Sequence, residues 1–231
     1  QANQVATLDL LRAHQGLIIS LAELAESRDS DTGAHLYRVR DHCTLLAKLM
    51  AQDERFKGHI SPDFIEAVYY VSPLHDIGKV SIPDAILLKQ GKLTAEEFEV
   101  IKTHTMAGGR ALETVLQYCD LQMFRIARDI VLSHHERYDG NGYPNGIQGA
   151  AIPLAARIMG IADHYDALRS KRVYKDAFTA REAIDNISEE SGKRFDPDIV
   201  DIMLAHIRLF EDIHEQYTEM DSVPDKHAGF L

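Results

Sequence analysis

Apolar residues recur at helical spacing through most of this chain. Between residues 8 and 24, Leu10, Leu11, Leu17, Ile18, Leu21 and Leu24 trace one stripe with charged positions around it. A second helix is expected over about 32–50, with Leu36, Val39, Leu46 and Leu49 on one face. Ser61-Pro62 reads as a cap with a first-turn proline, opening a helix through Phe64, Ile65, Val68 and Tyr69. Pro73 interrupts that helix just before His75. Thr94 and Glu97 form a capping box, and Phe98, Ile101, Thr105 and Gly108 continue the stripe behind it. Further helices are expected near 121–135 and 153–168, separated by a glycine-rich loop at about 139–151. Thr179 and Glu182 form a second capping box, Gly192 ends the helix they open, and Asp196-Pro197 opens the last one. From about Tyr217 the sequence is polar and is expected to fray. Strand-like alternation is almost absent, so the predicted fold class is all-α.

Composition adds boundaries rather than a function. The 231 residues are 45% hydrophobic and 26% charged, ordinary globular usage that excludes fibrous and disordered classes. No apolar run approaches the ~18 residues needed to cross a bilayer, and no charged-then-apolar leader is visible. The first residue is Gln1, which fits a piece of a longer chain. The expected organisation is an N-terminal linker helix over 1–25, a catalytic domain over 26–215 and a flexible tail over 216–231. Cys43 and Cys119 form no CxxC motif, so nothing demands an oxidising compartment. With 25 basic and 36 acidic residues the net charge is −11, which disfavours bulk nucleic acid and anionic membranes. A phosphate ligand would need a local positive site.

The twelve histidines change the picture. Five of them fall on helices or helix ends in telling positions: His35 four residues from Asp31, His75 beside Asp76, His104 on the apolar stripe three residues beyond Ile101, and His134 and His135 beside each other. Asp31 and His35 are four apart, and Asp163 and Asp166 three apart, so each pair shares a helix face. His75 and Asp76 are adjacent, diverging by ~100° if helical, and so can address two different points. Imidazole with carboxylate and no nearby thiolate suits zinc, iron, manganese or nickel. The set exceeds the needs of one ion, so a two-metal centre fits better, with Asp76 as the bridge. The plainer reading of a lone histidine is a core or surface side chain. It covers His14, His42, His59, His206, His214 and His227, and His164 as well. Applied to the cluster, it requires a metal-free ion-pair network whose burial would be costly for every member.

These residues also carry a resemblance. His75-Asp76-Ile77-Gly78-Lys79, Ile82-Pro83-Asp84 and Gly91-Lys92-Leu93-Thr94 are similar to the HD superfamily of metal-dependent phosphohydrolases. His134-His135-Glu136-Arg137, Asp139-Gly140, Gly142-Tyr143-Pro144, Ile161-Ala162-Asp163 and Asp166-Ala167-Leu168 resemble its HD-GYP family of bacterial cyclic dinucleotide phosphodiesterases. The match runs from about Glu26 to Val200. It implies a helical HD bundle around a di-metal centre. His35, His75, Asp76 and Asp163 would hold one ion, and Asp76, His104, His134 and His135 the other. Asp31 stands where the family often has Glu as a third-metal ligand; its shorter side chain argues against a third ion. Lys79 would meet the scissile phosphate or help the leaving oxygen. Arg172 and Lys175 would contact substrate phosphate, and Asp166 would contact substrate or orient Arg172. Pro73, Ser81 and Val173 depart from the family pattern without removing a ligand.

The implied activity is hydrolysis of cyclic di-GMP to linear pGpG, and onward to GMP as a further option, by a hydroxide bridging two ions, with Asp76 and Lys79 at the reacting centre. Iron or manganese is the expected metal, and zinc or nickel also suits the ligands. The alternatives are a cyclic GMP-AMP phosphodiesterase and a non-catalytic receptor for the dinucleotide. The resemblance further implies a bacterial cytoplasmic setting, an upstream receiver or sensor domain, and diguanylate cyclase-type partners at the Gly142-Tyr143-Pro144 loop. The loop's other reading is a brace for His134 and His135.

Overall fold

The computed structural model describes residues 2–27, 34–170 and 177–221, the side chains of 2–12, 14 and 219–221 excepted. The described residues form ten α-helices: α1 (Ala2–Glu26), α2 (Ala34–Met50), α3 (Pro62–Val71), α4 (Asp84–Leu87), α5 (Ala95–Tyr118), α6 (Gln122–Ser133), α7 (Leu154–Arg169), α8 (Ala180–Glu189), α9 (Pro197–Ala205) and α10 (Ile207–Asp221). Short 3₁₀ turns join them, and no strand is present among these residues. The all-α expectation holds.

Local chemistry sets the helix starts. Ser61 accepts from the Phe64 amide ahead of Pro62, and Thr94 and Thr179 close full capping boxes with Glu97 and Glu182. Asp196 caps α9 ahead of Pro197. Two expectations change. The helix opened by Asp196-Pro197 ends at Ala205, because His206 takes a non-helical backbone conformation, and α10 follows as a separate helix. The region beyond Tyr217 continues α10 to Asp221, and the Tyr217 hydroxyl donates to Asp41 at 2.6 Å, which ties this stretch to α2.

Two helices organise the core. α2 buries Leu36, Val39, Cys43, Leu46, Ala47 and Met50, and α7 buries Ala155, Ile158, Met159, Ile161, Ala162 and Tyr165. α7 is apolar around most of its circumference, as a helix enclosed by neighbours must be. α2 packs on α3, α7, α9 and α10, while α6 bridges α3, α5 and α7. α1 packs on the turns Ser72–Leu74 and Ile77–Ser81 through its C-terminal part, where Ala22 and Ala25 are buried.

Pro73 lies in the Ser72–Leu74 turn, so α3 stops at Val71, and His75-Asp76 sits between two 3₁₀ turns. The second of these presses against α5. A Cβ on Gly78 would lie 1.9 Å from the His104 carbonyl oxygen and 2.7 Å from the Gly108 nitrogen. Backbone contact this close needs glycine on steric grounds and brings Asp76 to His104. Gly78→Ala is therefore expected to cost about 2–4 kcal/mol in urea unfolding. Wild-type stability in that variant would mean that the turn does not rest on α5.

Candidate metal centre

Five elements deliver the predicted ligands to one place. α2 supplies His35 from its first turn, and the joint between the 3₁₀ turns supplies His75 and Asp76. α5 supplies His104, the end of α6 supplies His134 and His135, and α7 supplies Asp163. The ligand atoms form two groups, each with all its members within 4.8 Å of one another. Asp76, His104, His134 and His135 make one; His35, His75 and Asp163 make the other. Asp76 joins them: its Oδ1 is 3.1 Å from His104 Nε2 and 3.5 Å from His134 Nε2, and its Oδ2 is 3.4 Å from His75 Nε2. Across the second group, Asp163 Oδ1 lies 3.8 Å from His35 Nε2 and 4.0 Å from His75 Nε2.

Hydrogen bonds on the far ring nitrogens decide what these imidazoles present. His75 Nδ1–H donates to the Ser72 carbonyl at 3.2 Å, His104 Nδ1–H to Ile101 at 2.7 Å, and His134 Nδ1–H to Ile130 at 3.0 Å. A carbonyl only accepts, so Nδ1 carries the hydrogen, and in the neutral ring the Nε2 lone pair faces the centre. Nε2 of His75, His104 and His134 and Oδ1 of Asp76 are buried without a hydrogen-bond partner. Orphaned acceptors that converge in this way are costly unless a cation joins them. The donor set fits a pair of divalent transition ions, and a metal-free ion-pair network leaves those atoms unsatisfied.

Charge tells the same story. Burial pushes Asp76 up, but Lys79 and His75, with the His104 and His134 rings close to its Oδ1, hold it well below the usual carboxylate range. Burial opposes charge on His75, yet Asp76, Asp163 and Glu26 outweigh it and push the ring up to about 9. His35 is raised for similar reasons, with Asp166 the main opponent of burial. His134 and His135 go down, chiefly through burial.

Asp166 does not line the cleft. It is fully buried, accepts from His35 Nδ1 at 2.7 Å, and forks onto Arg38 at 2.6 and 3.0 Å. Asp166, expected to contact substrate or orient Arg172, thus sits behind His35, where an acidic partner can fix the ring of a ligand. Asp31, Arg172 and Lys175 lie outside the described residues. Lys79 is placed by the Ile77–Ser81 turn with Nζ 2.8 Å from Asp76 Oδ2.

The glycine-rich loop braces the ligand pair: the Tyr143 amide donates to the His135 carbonyl at 3.2 Å, and the Asn145 amide to Glu136 at 2.7 Å. A Cβ on Gly142 would lie 2.3 Å from the Arg137 nitrogen, so this turn folds onto the ligand segment only as glycine. The Tyr143–Pro144 bond is cis, and the Tyr143 ring lies 4.7 Å from that of His135.

Sequence reasoning missed three residues. Arg38 and Glu136 are buried behind ligands, and Glu26 is 4% exposed with neither carboxylate oxygen hydrogen-bonded. Burial raises Glu26's pKa, and Lys79, 3.7 Å away, opposes it. The signal was present: Glu26 extends the inward Ala22 and Ala25 face of α1, and Arg38 shares a face with His35 and His42.

Comparison with known proteins agrees with this geometry. The HD domain model matches residues 20–199. The chain belongs to the HD-domain family. Its motifs place it in the HD-GYP branch. A cyclic di-GMP phosphodiesterase from Vibrio cholerae is 49% identical over 189 residues, 81% of this chain and 38% of that protein. The response regulator RpfG of Xanthomonas campestris, named a cyclic di-GMP phosphodiesterase, is 38% identical over 88% of this chain and 51% of its own length. A Vibrio cholerae 3'3'-cGAMP-specific phosphodiesterase is 38% identical over 86% of this chain and 36% of its own length. The chain thus spans about half or less of the relatives it matches. An HD-GYP-type protein from Bdellovibrio bacteriovorus shares the fold, with a TM-score of 0.54 at 18% identity over 84% of this chain and 60% of that one. No helix among the described residues is long and apolar enough to cross a membrane.

The pKa directions predict how a metal loads. In the metal-free protein, the His75 proton stabilises the fold fully below pH 6.5, and that contribution is lost as pH rises through about 9. A metal competes with that proton, so its apparent affinity rises over the same interval. Calorimetry in buffers of different ionisation enthalpy should show about one or more protons released per chain at pH 7. Loading without proton release would contradict the assignment of His75.

Proposed function

We propose that this HD-GYP domain is a metal-dependent cyclic dinucleotide phosphodiesterase that opens cyclic di-GMP to linear pGpG. The observation that carries the reading is Asp76, whose two oxygens face two separate histidine groups. His35, His75, Asp76 and Asp163 would hold one ion, and Asp76, His104, His134 and His135 the second. Iron or manganese is the proposed pair. A bound pair of divalent ions supplies charge neutralisation for the phosphodiester and a water acidified toward neutrality.

The chain's own residues supply the rest. The hydrogen bonds on Nδ1 keep the imidazoles oriented, so the ligands need no rearrangement during turnover. Lys79 stands one 3₁₀ turn from Asp76 and reaches its carboxylate. From there its ammonium meets a phosphate oxygen or the leaving ribose oxygen. One P–O bond breaks, water supplies the oxygen that replaces it, and a proton ends on the ribose oxygen. Tyr143, packed on His135, forms part of the rim. Arg172 and Lys175 complete the substrate contacts in this proposal. It also includes a cytoplasmic bacterial setting, an upstream receiver or sensor domain, and cyclase-type partners at the Gly142-Tyr143-Pro144 loop.

The similarity to a relative named cGAMP-specific makes cyclic GMP-AMP the second substrate to assay. Purified holoprotein should convert cyclic di-GMP to pGpG faster than it converts cyclic GMP-AMP. Cleavage of only the latter would reassign the substrate, and tight binding without product would make the domain a receptor. Asp76→Ala should lose both turnover, by about 10³-fold or more, and metal content, with its helical circular dichroism retained. Full activity in that variant would remove the bridging role.

A further inference from the structure

One cation beside the centre has no assigned work. Arg194 sits in the turn between α8 and α9 and is half-buried. That turn is tied to the ligand segment by two hydrogen bonds, from the Tyr138 amide to the Arg194 carbonyl at 3.1 Å and from the Asp139 amide to the Lys193 carbonyl at 2.8 Å. Arg194 lines a small cavity whose other walls include His134, Glu136 and Gly160, and its guanidinium carbon lies 5.5 Å from the Phe195 ring centre.

The neighbouring arginines have carboxylates. Arg38 takes Asp166, Arg157 takes Asp196, and Arg137 takes both Asp139 and Glu190. Among the described residues, the Arg194 guanidinium has neither a hydrogen bond nor an ion pair; the nearby Glu190 is already engaged by Arg137. Burial lowers its pKa, and the Asp163 carboxylate is the strongest influence in the other direction, with Glu190 and Tyr143 also within electrical reach. Arg194 therefore stands beside the ligand segment, sharing a cavity with His134 and within electrostatic reach of Asp163 and Tyr143.

A guanidinium held half-buried without a counter-ion is costly in a folded protein. It matches an anion with paired oxygens, for which its forked donors are suited. A cyclic dinucleotide carries two phosphodiesters, and a di-metal centre handles one at a time. We propose that Arg194 holds the second, non-reacting phosphodiester of the substrate and so selects cyclic dinucleotides over diesters with a single phosphate. This rests on the phosphodiesterase reading above and assigns a residue outside the HD, GYP and ligand motifs.

The experiment uses metal-loaded protein with cyclic di-GMP and, as the single-phosphate diester, bis(4-nitrophenyl) phosphate. Arg194→Gln should raise KM for cyclic di-GMP about tenfold or more, lower kcat by less than about threefold, and keep two metals per chain. KM for the single-phosphate diester should move far less, and Arg194→Lys should recover part of the lost affinity. An Arg194→Gln KM within about twofold of wild type would overturn the assignment. So would equal KM increases for both diesters, or loss of metal, which would make Arg194 a structural support of the ligand segment. A wild-type protein that does not cleave cyclic di-GMP would sink the phosphodiesterase reading itself, and that result appears before any variant is made.

Discussion

Everything at the centre of this molecule depends on the direction of a few Nδ1–H bonds. His75, His104 and His134 each commit that hydrogen to a carbonyl of their own segment, and His35 turns the same nitrogen toward Asp166. The opposite nitrogens are thereby aimed at one another and at Asp76. Such an arrangement in a dry interior is unfavourable by itself, since neutral acceptors facing each other gain nothing. It becomes favourable when a cation of charge +2 takes their place at the focus. In the metal-free protein the carboxylates of Asp76, Asp163 and Asp166 outweigh burial and raise His35 and His75, so these two rings take up a proton more readily. Proton and metal are competitors for one set of lone pairs.

The helical frame serves that focus. α2 packs on α7, which fixes His35 against Asp163 and Asp166. The glycine contact between the Ile77–Ser81 turn and α5 fixes Asp76 against His104. Neither alignment can slip without breaking backbone packing. In a chain of net charge −11, such a centre also resolves an electrostatic conflict. Two divalent ions against the charges of Asp76 and Asp163 would leave a local positive field for phosphate, to which Lys79 and Arg194 add.

Much of this was legible before any coordinates. Capping boxes at Thr94 and Thr179, the cap at Ser61 and the break at Pro73 are local chemistry, and local chemistry is written in short spacings. The ligand set was legible because imidazoles paired with acids at helical spacing are rare without a purpose. What escaped depends on distant chain segments meeting. Asp166 lies on the same face as Asp163, yet Arg38, 128 residues away, draws it into the core behind His35. Glu26 reads as an ordinary acid on a surface helix until α1 is laid against the Ile77–Ser81 turn. The break at His206 was missed because Pro197 signals only where a helix begins.

The most direct test of the two-ion centre is anomalous diffraction from crystals of metal-loaded protein, collected on both sides of the metal's absorption edge. The account predicts two peaks per chain, roughly 3.5–4 Å apart, with an Asp76 oxygen on each. A single peak, or two peaks that do not share Asp76, would contradict it.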